Sequence, residues 1–197
     1  MIHYCLDMTR RKKVFNLILF LGLISAALFG SFLLADYIAN DHTSRELIQD
    51  YGYFGILLVS FVAGLNFIVP IPAATFVPVF TAGGISLPEI ILFLVLGTMA
   101  ANLLSYYLGR YGGTITNSHY PTIQKKLLSL YRGKSKWLPY FVFGFAAFIP
   151  LPDEVYLIPL GIIGVKLKQF IIPLVLGTAT YQTLATLGVD NLFRFFF

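Results

Sequence analysis

Two adjacent carboxylates, Asp153 and Glu154, lie within an otherwise apolar part of the sequence, between uncharged arms of 14 residues (138–151) and 11 residues (155–165). Ionisable groups at membrane depth are costly and are functional by default. Two neighbouring carboxylates in a low dielectric do not both ionise easily, so we expect one to retain a proton and to exchange it during transport. A structural alternative is that Asp153 caps the following helix and Glu154 favours its dipole.

Neither arm beside the acids is long enough to cross a bilayer, which takes about 20 apolar residues. Pro150 and Pro152 precede the acids, and helix-breaking prolines between two short apolar arms predict a re-entrant hairpin. Irregular backbone survives at membrane depth only where protein or a water-filled cavity satisfies its polar groups. The rest of the chain should therefore enclose this turn, whose freed backbone groups could bind ions or headgroups.

The composition places the chain among helical membrane proteins. Hydrophobic residues make up 57% and charged residues 12% of the 197 residues, against about 25% charged in soluble domains. Cys5 is the only cysteine and the three histidines are isolated, so we expect no disulfide, metal or cofactor. No GxSxG or HExxH motif is present, which argues against an enzyme.

Several elements follow from the order of residues. Val14–Ala35 predicts a retained first spanning helix, with a cleaved signal as the alternative. Asp36–Asp50 predicts a polar outer loop, and residues 120–137 predict a basic amphipathic helix at the interface. Ser86 and Glu89 have the spacing of a capping box. The helix that they open should run to about Leu108 and end at Gly109, Gly112 and Gly113, and an unusually polar last helix should run from Gln169 to about Leu187.

The sequence matches itself when it is shifted by 80 residues, with eleven identities in the 35 positions from Gly64 to Thr98. Pro70 and Pro72 fall on Pro150 and Pro152, which predicts a second re-entrant hairpin. The matched positions also include Gly84 with Gly164 and residues 94–98 with 174–178, both LVLGT. We predict a membrane anchor and outer loop over 1–50 and a membrane domain over 51–189, with repeats at about 54–109 and 138–189 and a basic linker at 110–137.

Each repeat contains one hairpin and one spanning helix, so it crosses the membrane an odd number of times. The two copies should therefore be inverted relative to each other. With the N-terminus inside, twelve of the fourteen basic residues lie on the inner side, leaving Arg45 and Arg194 outside. The predicted fold is an all-α integral membrane protein in the cell (inner or plasma) membrane, with a cytoplasmic N-terminus and an outer C-terminus.

Other polar or small residues are candidates for a path or for packing. Asn66 and Thr75 are uncharged partners on the first hairpin. Asn102 and Gln182 occupy equivalent positions and could line a polar path or simply bond between helices. Arg110 is favoured as an interface anchor that could also touch a phosphate. The predicted close-packing glycines are Gly83, Gly84, Gly161 and Gly164.

Several motifs resemble those of the DedA/VTT (SNARE-associated Golgi protein) family, especially its small prokaryotic members. They are Pro70-Ile-Pro72, Ala82-Gly83-Gly84, Gly109-Arg-Tyr-Gly-Gly113, Phe148–Glu154 and Pro159-Leu-Gly161, within about Tyr51 to Val189. The resemblance implies opposed re-entrant hairpins and traffic of phospholipid or polyprenyl-phosphate headgroups, linked to protons or cations. Better-known members carry acids where this chain has Ala73 and Ala74, and arginines around Ala147 and Pro152-Asp153.

The leading functional hypothesis is a lipid translocase or scramblase. A secondary transporter of a small solute or ion would use the same architecture with a closed central site. A non-transporting assembly protein is the third alternative, and the sequence leaves a homo-oligomer open. A polar groove that opens sideways to the bilayer would distinguish the first hypothesis from the second. Nucleic acid is not an expected partner, because the positive charge follows the membrane topology.

Overall fold

The computed structural model describes residues 22–65, 71–119, 135–149 and 151–196, and this part of the chain is helical without a strand. Four helices are long and apolar enough to cross a membrane. They are α1 (Gly22–Asn40), α2 (His42–Gly64), α4 (Leu87–His119) and α7 (Ile171–Phe196). The shorter ones are α3 (Val77–Ala82), which follows a 3-10 turn at Ala73–Phe76, α5 (Leu138–Phe148) and α6 (Glu154–Ile163). The predicted class, an all-α membrane protein, is confirmed.

The predicted outer loop at Asp36–Asp50 is wrong, because α1 continues to Asn40 and α2 begins at His42. Asp41 is the N-cap of α2, and its carboxylate accepts a hydrogen bond of 2.8 Å from the backbone N–H of Ser44. Hydrogen bonds from the side chain and backbone of Ser44 lower the pKa of the Asp41 carboxyl. A single capping residue thus joins two helices where acidic composition suggested a loop.

The predicted ends of the two longest helices are also wrong. The Ser86–Glu89 box opens α4 as predicted, with the Ser86 hydroxyl donating to Glu89 at 2.7 Å. However, α4 passes through its glycines and continues to His119. The last helix likewise passes Leu187 and reaches Phe196. Gly109 and Gly113 serve packing rather than termination, as described below. The predicted amphipathic helix lies mostly outside the described residues, which resume with a 3-10 turn at Ser135–Trp137.

In the first half of the fold, the chain leaves along α2 and comes back to a point near the start of α2. A Cβ added at Gly64 would lie 2.7 Å from the Cβ of Ala101, whereas one added at Gly52 would meet Ile85, so α2 and α4 run parallel. After α2, the short segment with α3 leads back to Gly83, whose added Cβ would lie 2.7 Å from the Cβ of Ile48 near the start of α2. Helix α2 and the described segment 71–83 therefore form a hairpin.

The second half repeats this arrangement. Helices α5 and α6 lie on either side of the acidic turn, and Phe145 meets Tyr156 with ring centroids 4.7 Å apart. Helix α5 also lies along α7, because a Cβ on Gly177 would approach the Cβ of Ala146 to 2.8 Å. Each half has its own buried apolar cluster, one around Ile56, Val77 and Leu94 and one around Val142, Leu157 and Leu174.

Each half packs one of its short helices against a long helix of the other half. Helix α6 packs along α4, and α3 contacts α7. Tyr106 meets Phe170 at a ring distance of 5.5 Å, while Thr98 meets Gln182, so α4 and α7 are antiparallel. The re-entrant placement of the hairpins in a membrane and the inverted repeat stay predictions.

The two hairpins end in the same kind of turn. Gly84 and Gly164 have φ of 96° and 79°, the left-handed region that favours glycine. The next residues, Ile85 and Val165, donate backbone hydrogen bonds of 3.1 Å to the residues five positions earlier, Phe80 and Leu160. This is the Schellman pattern of a helix end. Two identical turns 80 residues apart match the sequence repeat.

Candidate functional site

The acidic turn lies at mid-height beside α4. Asp153 ends the turn before α6, and its carboxylate accepts hydrogen bonds from the Asn102 amide at 2.8 Å and the Tyr156 hydroxyl at 3.1 Å. Asn102 is fifteen residues after the start and eleven before the end of the candidate span Leu87–Gly113, about 22 and 17 Å at the helical rise. The Asp153 carboxylate is therefore held near the middle of that span.

The capping alternative for the Asp153 side chain is wrong. Asp153 occupies the N-cap position of α6, but its side chain makes no capping hydrogen bond. Its backbone carbonyl accepts from the N–H of Leu157 at 2.9 Å, while the carboxylate bonds to side chains of α4 and α6. Glu154, the first residue of α6, is buried with 6% exposure. The two acids therefore differ in environment, one held at the hairpin tip and one packed inside.

Glycines bring α6 against the backbone of α4. A Cβ on Gly109 would collide with the carbonyl of Ile158, and one on Gly113 would lie 2.7 Å from the carbonyl oxygen of Ile162. From the other side, a Cβ on Gly161 would lie 2.7 Å from the backbone nitrogen of Arg110. This contact keeps α6 in register, so that Asp153 reaches Asn102.

The two equivalent amides, Asn102 and Gln182, bind different partners. Gln182 donates from Nε2 to the hydroxyl of Thr98 at 2.9 Å, which links α7 to α4, whereas Asn102 donates to Asp153. Arg110 is exposed and donates to the hydroxyl of Tyr106 at 3.0 Å. It lies two turns from Asn102 and is not part of the acidic turn.

The remaining predicted residues are spread over the fold. Thr75 is buried in the 3-10 turn after Pro72, and Pro152 accepts a backbone hydrogen bond of 3.1 Å from Val155. A Cβ on Gly164 would meet nothing within 4 Å, so that glycine is needed for its backbone conformation. Asn66, Pro70 and Pro150 lie outside the described residues.

The sequence model of the VTT domain family matches residues 71–191, more than half of the chain. The chain belongs to the VTT domain family. This agrees with the DedA/VTT resemblance of its motifs, and the matched region contains both hairpin turns and both acids. Searches of curated proteins and of solved structures found no match.

Sequence reasoning missed two bonding partners in this VTT domain, one at the acidic turn and one on α4. Tyr156 and Thr98 hold Asp153 and Gln182, respectively. Thr98 carried a signal, since it belongs to the repeated LVLGT block and lies four residues before Asn102. Tyr156 carried only its position three residues after Asp153, which places both side chains at the same end of a helix.

Among the residues that the structure describes, those beside the acidic turn of the VTT domain are exposed on one side. Asp153 is half-buried, and its apolar neighbours Leu151 and Val155 are 56% and 59% exposed. Exposed apolar side chains beside a candidate span are expected to face lipid. The carboxylate thus lies at the border between the helical core and the lipid-facing surface.

Proposed function

We propose that this VTT domain protein is a lipid translocase, or scramblase. The observation that carries the proposal is the half-buried Asp153 carboxylate, held midway along a candidate span and flanked by exposed apolar residues. A headgroup that crosses a bilayer needs polar groups at mid-depth, while its acyl chains stay in lipid. A site that opens sideways meets both needs, whereas a carrier of small solutes would enclose its site.

The proposed topology has two opposed re-entrant hairpins in an inverted repeat. The antiparallel α4 and α7, the matching turns at Gly84 and Gly164, and the reciprocal packing of α3 and α6 support it. The distribution of basic residues favours a cytoplasmic N-terminus and an outer C-terminus in the cell membrane. The partners would be phospholipid or polyprenyl-phosphate headgroups.

Proton coupling through Asp153 and Glu154 is part of the proposal. The two carboxylates are adjacent, and Glu154 is buried, so moving a proton on or off the pair changes the cost of keeping charge at this depth. A proton could thus be exchanged as the hairpin tip moves.

The test is flipping of fluorescent phospholipids by purified protein in liposomes at several pH values. We expect Asp153→Asn with Glu154→Gln to reduce flipping at least tenfold and to remove its pH dependence. Asp50→Asn, at an exposed position in α2, is the matched control and should retain wild-type flipping.

A folded wild type that moves no tested phospholipid would contradict the general scramblase. The test would then turn to a polyprenyl phosphate and to small solutes. Wild-type flipping by the doubly neutralised variant would remove the acids from the mechanism.

A further inference from the structure

One buried face of α7 is polar from Thr178 to Asp190. Thr178, Gln182, Thr186 and Asp190 follow one another at intervals of four residues, so they share one side of the helix. Their exposures are 2%, 4%, 0% and 6%. A row of polar groups this deeply buried needs hydrogen-bonding partners, because each unmatched group costs free energy.

Three of these side chains have atoms without a partner in the described structure. The hydroxyls of Thr178 and Thr186 and the amide oxygen of Gln182 are buried and accept or donate no hydrogen bond there. Other threonines of the same helix differ, since Thr180 and Thr183 each donate to the carbonyl four residues earlier at 2.8 Å. The side chains of Thr178, Gln182 and Thr186 therefore leave these atoms unbonded, whereas Thr180 and Thr183 bond to the backbone of their own helix.

The equivalent residues of α4 make a useful contrast. Those 80 residues earlier are Thr98, Asn102, Tyr106 and Arg110, and each has a side-chain hydrogen bond. In α4 the side chains of Thr98, Asn102 and Tyr106 therefore link this helix to other elements. In α7 the same spacing leaves oxygen atoms available to a small polar ligand.

The spacing suits water. Successive groups four residues apart are separated by about 6 Å along the helix. One water that bridges two hydrogen bonds of about 2.8 Å each spans nearly the same distance. Waters held in this way would form a connected chain between Asp190 and Gln182.

The row connects the neighbourhoods of two carboxylates, Asp190 and Asp153. Asp190 lies five residues before the end of the span that closes at Phe195, and it accepts from Arg194 at 2.8 Å. Eight residues before Asp190, Gln182 is bonded to Thr98, one turn from Asn102, which holds Asp153. Thr178 and Asp190 are about 18 Å apart along the helix.

The charged and titratable groups near the two ends are known for the described residues. Asp153 has Glu154 and Tyr156 on its own hairpin, Asn102 as a neutral partner on α4, and the half-buried Tyr181 of α7 within electrostatic range. Asp190 has Arg194, which is 69% exposed. The groups between the ends are neutral.

We infer that this face of α7 is a proton path from the Asp190 end of the helix to Asp153. The side chains hold the waters, and the waters carry the proton: each accepts one proton and releases another until the Asp153 carboxylate is protonated. The inference rests on the proposed function, because the path supplies the proton for the proposed coupling at Asp153. It does not depend on which lipid is moved.

The test follows protonation of Asp153 rather than lipid movement. Full-length protein in liposomes is exposed to a drop in external pH, and infrared difference spectroscopy follows the carboxylic acid band that Asp153→Asn removes. We expect Thr186→Val and Gln182→Leu each to slow the appearance of this band at least tenfold. Thr186→Ser should keep the wild-type rate of protonation, because serine retains the hydroxyl.

Thr183→Val is the matched control, since its hydroxyl is already bonded to Ala179 of the same helix. An unchanged rate in folded Thr186→Val and Gln182→Leu would overturn the path, as would equal slowing in Thr183→Val. A band that responds to replacement of Na⁺ by choline at constant pH, but not to pH, would overturn the assignment of the proton. If Asp153 of the wild type is protonated through this path but the protein flips no lipid, that result would count against the proposed function alone.

Discussion

At the scale of single residues, the central feature is a carboxylate held by two side chains that come from different elements. Asn102 of α4 and Tyr156 of α6 both donate to Asp153. Hydrogen bonds to charged groups contribute about 1.5–3 kcal/mol. Because Asn102 also lies at mid-span, this bond fixes both the depth of the acid and the contact between the hairpin tip and α4.

We predict that Asn102→Leu lowers the free energy of unfolding by about 1–3 kcal/mol, because Asp153 loses a donor in a place where water replaces it poorly. Thermal unfolding in detergent, together with a double-mutant cycle against Asp153→Asn, measures the effect. Strictly additive effects of the two changes would show that the bond contributes nothing to stability.

At the scale of helices, glycines decide which surfaces meet. In a membrane the apolar surfaces of helices gain little from meeting one another, so close packing between small residues drives association. Gly109 and Gly113 expose the backbone of α4 to Ile158 and Ile162, and Gly161 receives α4 in return. The contact between α4 and α6, which positions the acidic turn, thus depends on glycines, because they have no side chain to separate the two backbones.

We predict that Gly109→Ala lowers the free energy of unfolding by about 1–3 kcal/mol, because the new methyl group collides with the backbone of α6. Gly112→Ala is the matched control. It lies in the same helix with nothing within 4 Å of its added Cβ, so it should be neutral or slightly stabilising. Equal effects of the two substitutions in thermal unfolding would refute the packing argument.

At the scale of the whole molecule, the two halves are interdependent. Helix α6 of the second half packs on α4 of the first, and α3 of the first half contacts α7 of the second. Neither half therefore completes its core alone. Such an exchange is expected for an inverted repeat whose hairpins meet near the membrane centre.

We predict that equivalent positions of the two halves lie on opposite sides of the membrane. Pro88 and Lys168 are exposed and 80 residues apart, so Pro88→Cys and Lys168→Cys are placed separately in a Cys5→Ser background. A membrane-impermeant maleimide should label the position 88 variant in intact cells and the position 168 variant only after permeabilisation. Labelling of both from the same side would contradict the inverted topology.

The sequence by itself determined the class of protein, the repeat and the acidic turn. Composition, the length of apolar stretches and the positions of proline are local properties, so they predicted an all-α membrane protein with short arms around Asp153 and Glu154. The Ser86–Glu89 box also acts within one helical turn, and it opens α4 as expected.

Only the tertiary structure decided where helices end and which polar groups meet. Gly109 does not stop α4, and α7 passes its predicted end at Leu187. In α4 the packing against α6 uses the surface that the missing side chain of Gly109 exposes. The 80-residue sequence repeat placed Asn102 and Gln182 at equivalent positions. It did not show that Asn102 would bond to Asp153 and Gln182 to Thr98. Those partners depend on the offset between packed helices, which is a property of the whole core and of no single segment.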